Sequence, residues 1–153
     1  MRQNFATWRF ALRSLSSIYD RYLHQAEDRI VDAITALEAL LPTDRELSFK
    51  VSFRAAGILS ASDDERVATF QTANRYYDLR SKIVHGSPLR PRDLSLIQDD
   101  EPLRDIVRRL LVGFLHLAVA PEFAPTRRFY EELDGLLQHE RQRAQLRAAA
   151  GLA

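Results

Sequence analysis

Arg80 and His85 stand five positions apart in the stretch YYDLRSKIVHGSP, residues 76–88. An arginine side chain stays charged and grips a phosphate through two N–H groups at once. A histidine gains or loses a proton near neutrality, so it can act as general base or general acid. Together these residue types suit phosphodiester chemistry. The histidine would move the proton, and the arginine would hold the phosphate and offset the charge that develops on it. On a straight helix the two side chains diverge by about 140° and lie about 7.5 Å apart along the axis. One helix alone therefore does not aim both at one atom. A glycine after the last helical residue, followed by a proline, marks a helix end. Gly86 and Pro88 thus make His85 the final residue of a long helix.

The elements that must position this pair read as helices almost throughout. A stripe of Phe5, Trp8, Leu12, Leu15, Ile18, Tyr19 and Tyr22 predicts a helix over about Asn4 to Leu23. In residues 27–42, Ile30, Ile34, Leu37 and Leu41 fall on one face, and Pro42 closes the segment. Residues 46–59 follow, with Phe49, Phe53, Ala56 and either Gly57 or Ser60 as the expected inner face. Ser62 and Glu65 have the spacing of a capping box and open the helix that runs to Gly86. Residues 87–99, with Pro88 and Pro91, read as a loop. Asp99 or Asp100 then caps a very apolar helix over about 101–119, with Pro102 in its first turn. APEFAP at 120–125 breaks it, and a last helix runs from Thr126 to about Ala148 with Phe129, Leu133, Leu136 and Leu137 on its apolar side. No strand pattern, internal repeat or low-complexity segment is present. The expectation is an all-α bundle of five or six helices, one domain over 1–148, with a frayed tail at 149–153.

Composition narrows the function. A chain of 153 residues buries roughly 70% of its unfolded surface and needs no staples. It has no cysteine, which excludes disulfides, thiolate metal sites and a cysteine nucleophile, and fits a reducing compartment. MRQNFATWRF lacks the apolar run of a signal peptide. The longest apolar run, LLVGFLHLAVA at 110–120, falls short of the ~18 residues of a membrane span. A cytoplasmic protein with no membrane association is expected. The net charge of +1 gives no broad basic footprint for nucleic acid. Of 22 basic residues only Lys50 and Lys82 are lysines. Arginine is the better bidentate phosphate ligand; a codon bias gives the same composition.

Other polar residues have two readings each. Glu38, at the edge of its helix's apolar arc, would orient His85 or pair with Arg80, or else pair with Arg54 or another structural partner. Tyr76, four residues before Arg80, would stack an RNA base or pack in the core. Lys82 and Arg75 would contact phosphates, although Lys82 also stands four residues after Asp78, where a surface ion pair forms. His24, His116 and His139 make no metal pattern, and His116, between Leu115 and Leu117, reads as a core histidine. Arg141, Arg143 and Arg147 form a basic tail that would reach RNA or simply be solvated. No glycine-rich phosphate loop and no Ser-His-Asp signature is present.

The segment Arg80-Ser81-Lys82-Ile83-Val84-His85 resembles the arginine, four residues, histidine motif of HEPN domains. RIVDAITALEALL (29–41), ELSFKVSFRAAGIL (46–59) and YDLRSKIVHG (77–86), in that order and spacing, look like the Apea-like HEPN family over about residues 25–90. The resemblance implies a helical bundle that dimerises through the motif-bearing helices. It implies a metal-independent endoribonuclease with no cofactor, often a toxin or a bacterial defence effector with an antitoxin or other protein partner. Arg80 and His85 from both subunits would meet in one cleft, one histidine as base on the ribose 2′-hydroxyl and the other as acid on the leaving oxygen. Glu38, Ser81, Tyr76 and Lys82 are the supporting candidates. The apolar rim of the motif helix, with Tyr76, Leu79 and Ile83, would form part of the dimer contact. Other members of the family are catalytically silent modules that bind RNA or a partner protein. Ser81 occupies the position that in active members is often Asn, Asp or His. Ser87 occupies the position where some members carry a tyrosine that a partner nucleotidyltransferase modifies, so that route of neutralisation is not expected. A plain helical adaptor remains the third reading.

Overall fold

The computed structural model describes residues 12–13 and 26–152. Among the described residues there are seven further-reaching helices and no strand: α1 Ala26–Leu40, α2 Leu47–Leu59, α3 Asp63–Val84, α4 Pro91–Gln98, α5 Glu101–Leu117, α6 Arg127–Gln138 and α7 Glu140–Ala149. The stripe expected between Asn4 and Leu23 lies outside the described residues, Leu12 excepted, and so does His24.

The chain is an all-α bundle. α1, α2, α3 and α5 pack on one another, α6 and α7 lie across α2, and α4 leans on α1. The stripe of α1 does what its spacing predicts: Ile30, Ile34, Leu37 and Leu41 are all fully buried. α5 adds Leu103, Leu110, Phe114 and Leu117, also fully buried. Among the described residues no helix is long and apolar enough to cross a membrane.

α2 differs from expectation. Its buried residues are Val51, Ser52, Arg54, Ala55, Ala56, Gly57, Ile58 and Leu59, while Phe49 is 54% exposed. The cause is crowding. α2 meets α1, α3, α5, α6 and α7, and where α6 crosses it the approach leaves room only for a glycine. A Cβ on Gly57 would lie 2.9 Å from both Leu137 methyl carbons. Phe49 goes to the rim instead, where it stacks at 6.0 Å on Phe53, itself packed against the core, and meets the edge of Phe70 at 5.6 Å.

Residues 87–99 are not simply a loop. Pro91 is the first residue of α4, where a fixed φ and a missing N–H carry no penalty. The Asp93 carboxylate accepts the backbone N–H of Arg90 at 2.8 Å and caps the turn. Asp100 does precede α5, but its side chain makes no cap. It accepts instead from Arg29 at 2.6 Å and Arg104 at 3.1 Å, tying α1 to the start of α5.

The last helix is two. α6 and α7 are separated at His139, whose φ of −100° and ψ of 119° are extended. Neither glycine nor proline signals the break. Arg143 stabilises it by donating to the Leu137 carbonyl at 3.1 Å, one of the acceptors a helix end leaves open. The tail does not fray as expected. Ala150 is fully buried and Leu152 packs against the core. Gly151, at φ 67°, turns the chain so that the Leu152 N–H reaches the Arg147 carbonyl at 2.9 Å. The turn sits against His116: a Cβ on Gly151 would lie 2.2 Å from its Nδ1. His116 is exposed rather than in the core. Arg147 donates to the Leu152 carbonyl at 2.6 Å, so this part of the basic tail is engaged at home.

Candidate functional site

α3 carries the Arg80 and His85 pair, and both its ends are closed locally. At the start, Ser62 Oγ accepts from the Glu65 N–H at 3.2 Å, and Glu65 accepts from the Ser62 N–H at 3.4 Å. This is the capping box read from the sequence. At the other end His85 is the C-cap, with φ −90° and ψ 2°. Gly86, at φ 64°, donates to Ile83, and Ser87 donates to Lys82 at 2.9 Å. These two bonds close the helix by the reversal that a left-handed residue permits. The imidazole is left exposed at the tip.

A Cβ on Gly86 would meet nothing within 4 Å. Gly86→Ala is therefore expected to cost about 1 kcal/mol through backbone strain alone. Urea denaturation checks this, and the same variant shows whether the cap sets the position of His85.

Arg80 is half-buried, and its Nε is shielded from solvent with no hydrogen-bond partner among the described residues. No ion pair involves Arg80 among the described residues. On the neighbouring part of α3, Tyr77 is 9% exposed and donates to Glu38 Oε1 at 2.5 Å. Burial pushes the Tyr77 hydroxyl up to about 12, with the Glu38 hydrogen bond and charge adding and the Arg80 charge opposing. Glu38 is thus tied to Tyr77, not to His85, Arg80 or Arg54. Arg54 is held elsewhere, by both oxygens of Asp134 at 2.6 and 3.0 Å.

Tyr76 is not presented to a base. It is 1% exposed, and its hydroxyl donates to the Asp99 carbonyl. Burial, then the charges of Asp99 and Asp100, push that hydroxyl up to about 12. Leu79 is equally buried, so neither residue lies on the rim expected to meet a second chain. Val84 takes that place at 52% exposure, beside partly exposed Ile83. Ser81 is partly exposed, and its carbonyl accepts the His85 N–H at 3.1 Å. Lys82 pairs with Asp93 rather than Asp78, donating to both carboxylate oxygens at 2.8 and 2.9 Å. Asp93 is 3% exposed, and the Lys82 hydrogen bond holds its carboxyl below the usual range.

A cavity of about 540 Å³ lies between α3, α4 and the start of α5, lined by Arg75, Tyr76, Lys82, Arg92 and Asp99 among others, with neither Arg80 nor His85 on its wall. Sequence reasoning picked out Arg75 and Lys82 but not this furrow, because α4 was read as loop. Among the described residues no group of three or more His, Asp and Glu side chains could hold a metal ion.

The geometry and the sequence together define a helical-bundle protein with a histidine-tipped motif helix. Compared with known proteins, the chain matches no family model, no curated protein and no solved structure.

Proposed function

We propose that the chain is a HEPN-like domain that works as a homodimeric, metal-independent endoribonuclease through Arg80 and His85. The observation that carries this reading is the end of α3. It offers an exposed imidazole at a helix tip closed by its own backbone, and one turn and a half earlier an arginine whose buried Nε has no partner among the described residues. A second α3 tip brought alongside by a twofold axis, with the exposed Val84 at the contact, would supply the second histidine.

The step balances through side chains. One neutral histidine takes the proton of the ribose 2′-hydroxyl as that oxygen bonds to phosphorus. The phosphorus to 5′-oxygen bond breaks, and the other, protonated histidine gives its proton to the leaving oxygen. Arg80 offsets the charge on the phosphoryl oxygens. The products are a 2′,3′-cyclic phosphate and a 5′-hydroxyl. A toxin or defence effector held in check by a protein partner fits such an activity.

Purified protein is expected to cleave single-stranded RNA to those termini in the presence of EDTA. Activity that disappears with chelator and returns with magnesium would reject the mechanism. The second reading is a silent module that binds RNA or a protein partner at the same tip. It is favoured by Ser81, which stands where active members often carry Asn, Asp or His, and by the divergence of about 140° between Arg80 and His85 on a straight helix. RNA retained intact by a dimeric protein would select it.

A further inference from the structure

Two hydrogen bonds set the direction of α4. Lys82 holds Asp93 near its start, and Tyr76 holds the Asp99 carbonyl just past its end. α4 therefore runs antiparallel to α3, and the cavity of about 540 Å³ is the furrow between them. That volume falls within the roughly 300–1,000 Å³ of small-molecule sites.

The furrow has two chemically distinct ends. Towards the tip of α3 stand Lys82 and Arg92. Both face the buried Asp93, Lys82 at 2.8 Å and Arg92 at 4.0 Å, so two cations share one carboxylate and one positive charge is left over, with Arg92, whose side chain is 72% exposed, the freer of the two. The far end holds the Asp99 carboxylate, the apolar Leu96 and Pro102, and Arg75. No hydrogen bond or ion pair to the Asp99 carboxylate is present among the described residues. The clamp of Lys82 on Asp93 ties the two walls together.

An ionised carboxylate only accepts hydrogen bonds. Of the four RNA bases, guanine alone presents two adjacent donors, N1–H and N2–H, on its Watson–Crick edge. They match the two oxygens of one carboxylate. Adenine and cytosine place an acceptor beside their amino group, and uracil flanks its one donor with two acceptors. An arginine plane offers a surface on which an unpaired base stacks, and Arg75 is on the furrow wall. Asp78, also on the furrow wall, and His85 are seven residues apart, so they share a face of α3 about 10 Å apart along the axis.

From this we infer that the furrow binds one guanine nucleotide of single-stranded RNA, its base edge on Asp99 and its phosphate on Arg92, on the way to the α3 tip. This assignment rests on the ribonuclease reading for its biological meaning, but its test does not.

Calorimetric titration of the full chain with each of 5′-GMP, AMP, CMP and UMP checks it. GMP is expected to bind at least tenfold more tightly than AMP. Asp99→Asn should erase that preference, and Arg92→Ala should weaken all four nucleotides alike. His85→Ala should leave GMP binding unchanged. Equal binding of the four nucleotides, or none, overturns the inference even if RNA is cleaved. A preference that survives Asp99→Asn overturns it too. Should Asp99→Asn fail to fold, imino-proton shifts of GMP on wild-type protein decide the same point: a shifted N1–H supports the carboxylate contact and an unshifted one removes it. Selective GMP binding with RNA left intact would fail only the nuclease reading.

Discussion

His85→Ala is expected to lower the rate of RNA cleavage by about 10²–10⁴-fold. The side chain is exposed at the helix tip, so the change should move stability by no more than about 0.5 kcal/mol. Loss of rate with an unchanged urea midpoint separates a chemical role from a structural one. Arg80→Ala should cost about 10²–10³, with a modest stability change because the guanidinium is partly buried. If two chains share the cleft, the wild-type rate should be bell-shaped in pH, one histidine neutral and the other charged at the optimum. The two limbs then belong to the pair rather than to either residue. A His85→Ala protein that cleaves at the wild-type rate would end the proposal.

The second large effect concerns stability. Arg54 is 4% exposed and holds Asp134 through two hydrogen bonds, while a third goes to the Pro42 carbonyl at 2.5 Å. Asp134→Ala would leave that guanidinium charged, buried and short of its counter-charge. Breaking such a pair from one side costs about 3–5 kcal/mol. Because the Asp134 side chain is 31% exposed, the low end, about 3 kcal/mol, is expected. In a domain of this size that is a fall of about 6–12 °C in Tm. Replacing both partners by apolar residues should recover most of the loss. A loss under 1 kcal/mol would mean that water reaches Arg54 freely.

The same pair sets a pH dependence. Burial raises the Asp134 carboxyl, but the hydrogen bonds and charges of Arg54 and Lys50 outweigh it and hold the group below its ordinary value. A carboxyl lowered in the folded state contributes stability that is complete above its unfolded value. That contribution is lost as pH falls through the folded one. Urea midpoints should therefore hold steady down to about pH 5 and drop below about pH 4. A midpoint that rises on acidification would contradict the assignment.

The elements that were legible in the sequence are those decided by neighbours along the chain. The stripe of α1, the capping box at Ser62 and the stop at Gly86 all rest on contacts within a few residues, and each is where its spacing put it. The tip of the candidate site was legible for the same reason. What stayed hidden depends on partners far away in sequence. Phe49 is displaced from the core because five helices crowd α2, a fact that no window around Phe49 contains. The break at His139 is held by an arginine reaching back to Leu137. Lys82 chose Asp93 over the nearer Asp78 once α4 formed, and the furrow exists only because of that choice. Glu38 took a structural partner, Tyr77, 39 residues on, whose identity nothing near Glu38 in the sequence indicates.

The scarcity of lysine gives the chain an unusual chemical signature. Lys50 and Lys82 are the only lysines, their side chains are 28% and 27% exposed, and each faces a carboxylate, Asp134 or Asp93. Amine-directed reagents, acetylating agents included, would find no crowd of mobile surface ammonium groups to mask these two. The rate at which Lys82 is labelled would then follow the opening of the clamp between α3 and α4, and the rate at Lys50 the opening of the Arg54 cluster. Two sites in one mass spectrum would thus act as separate gauges of local opening in two regions of the bundle.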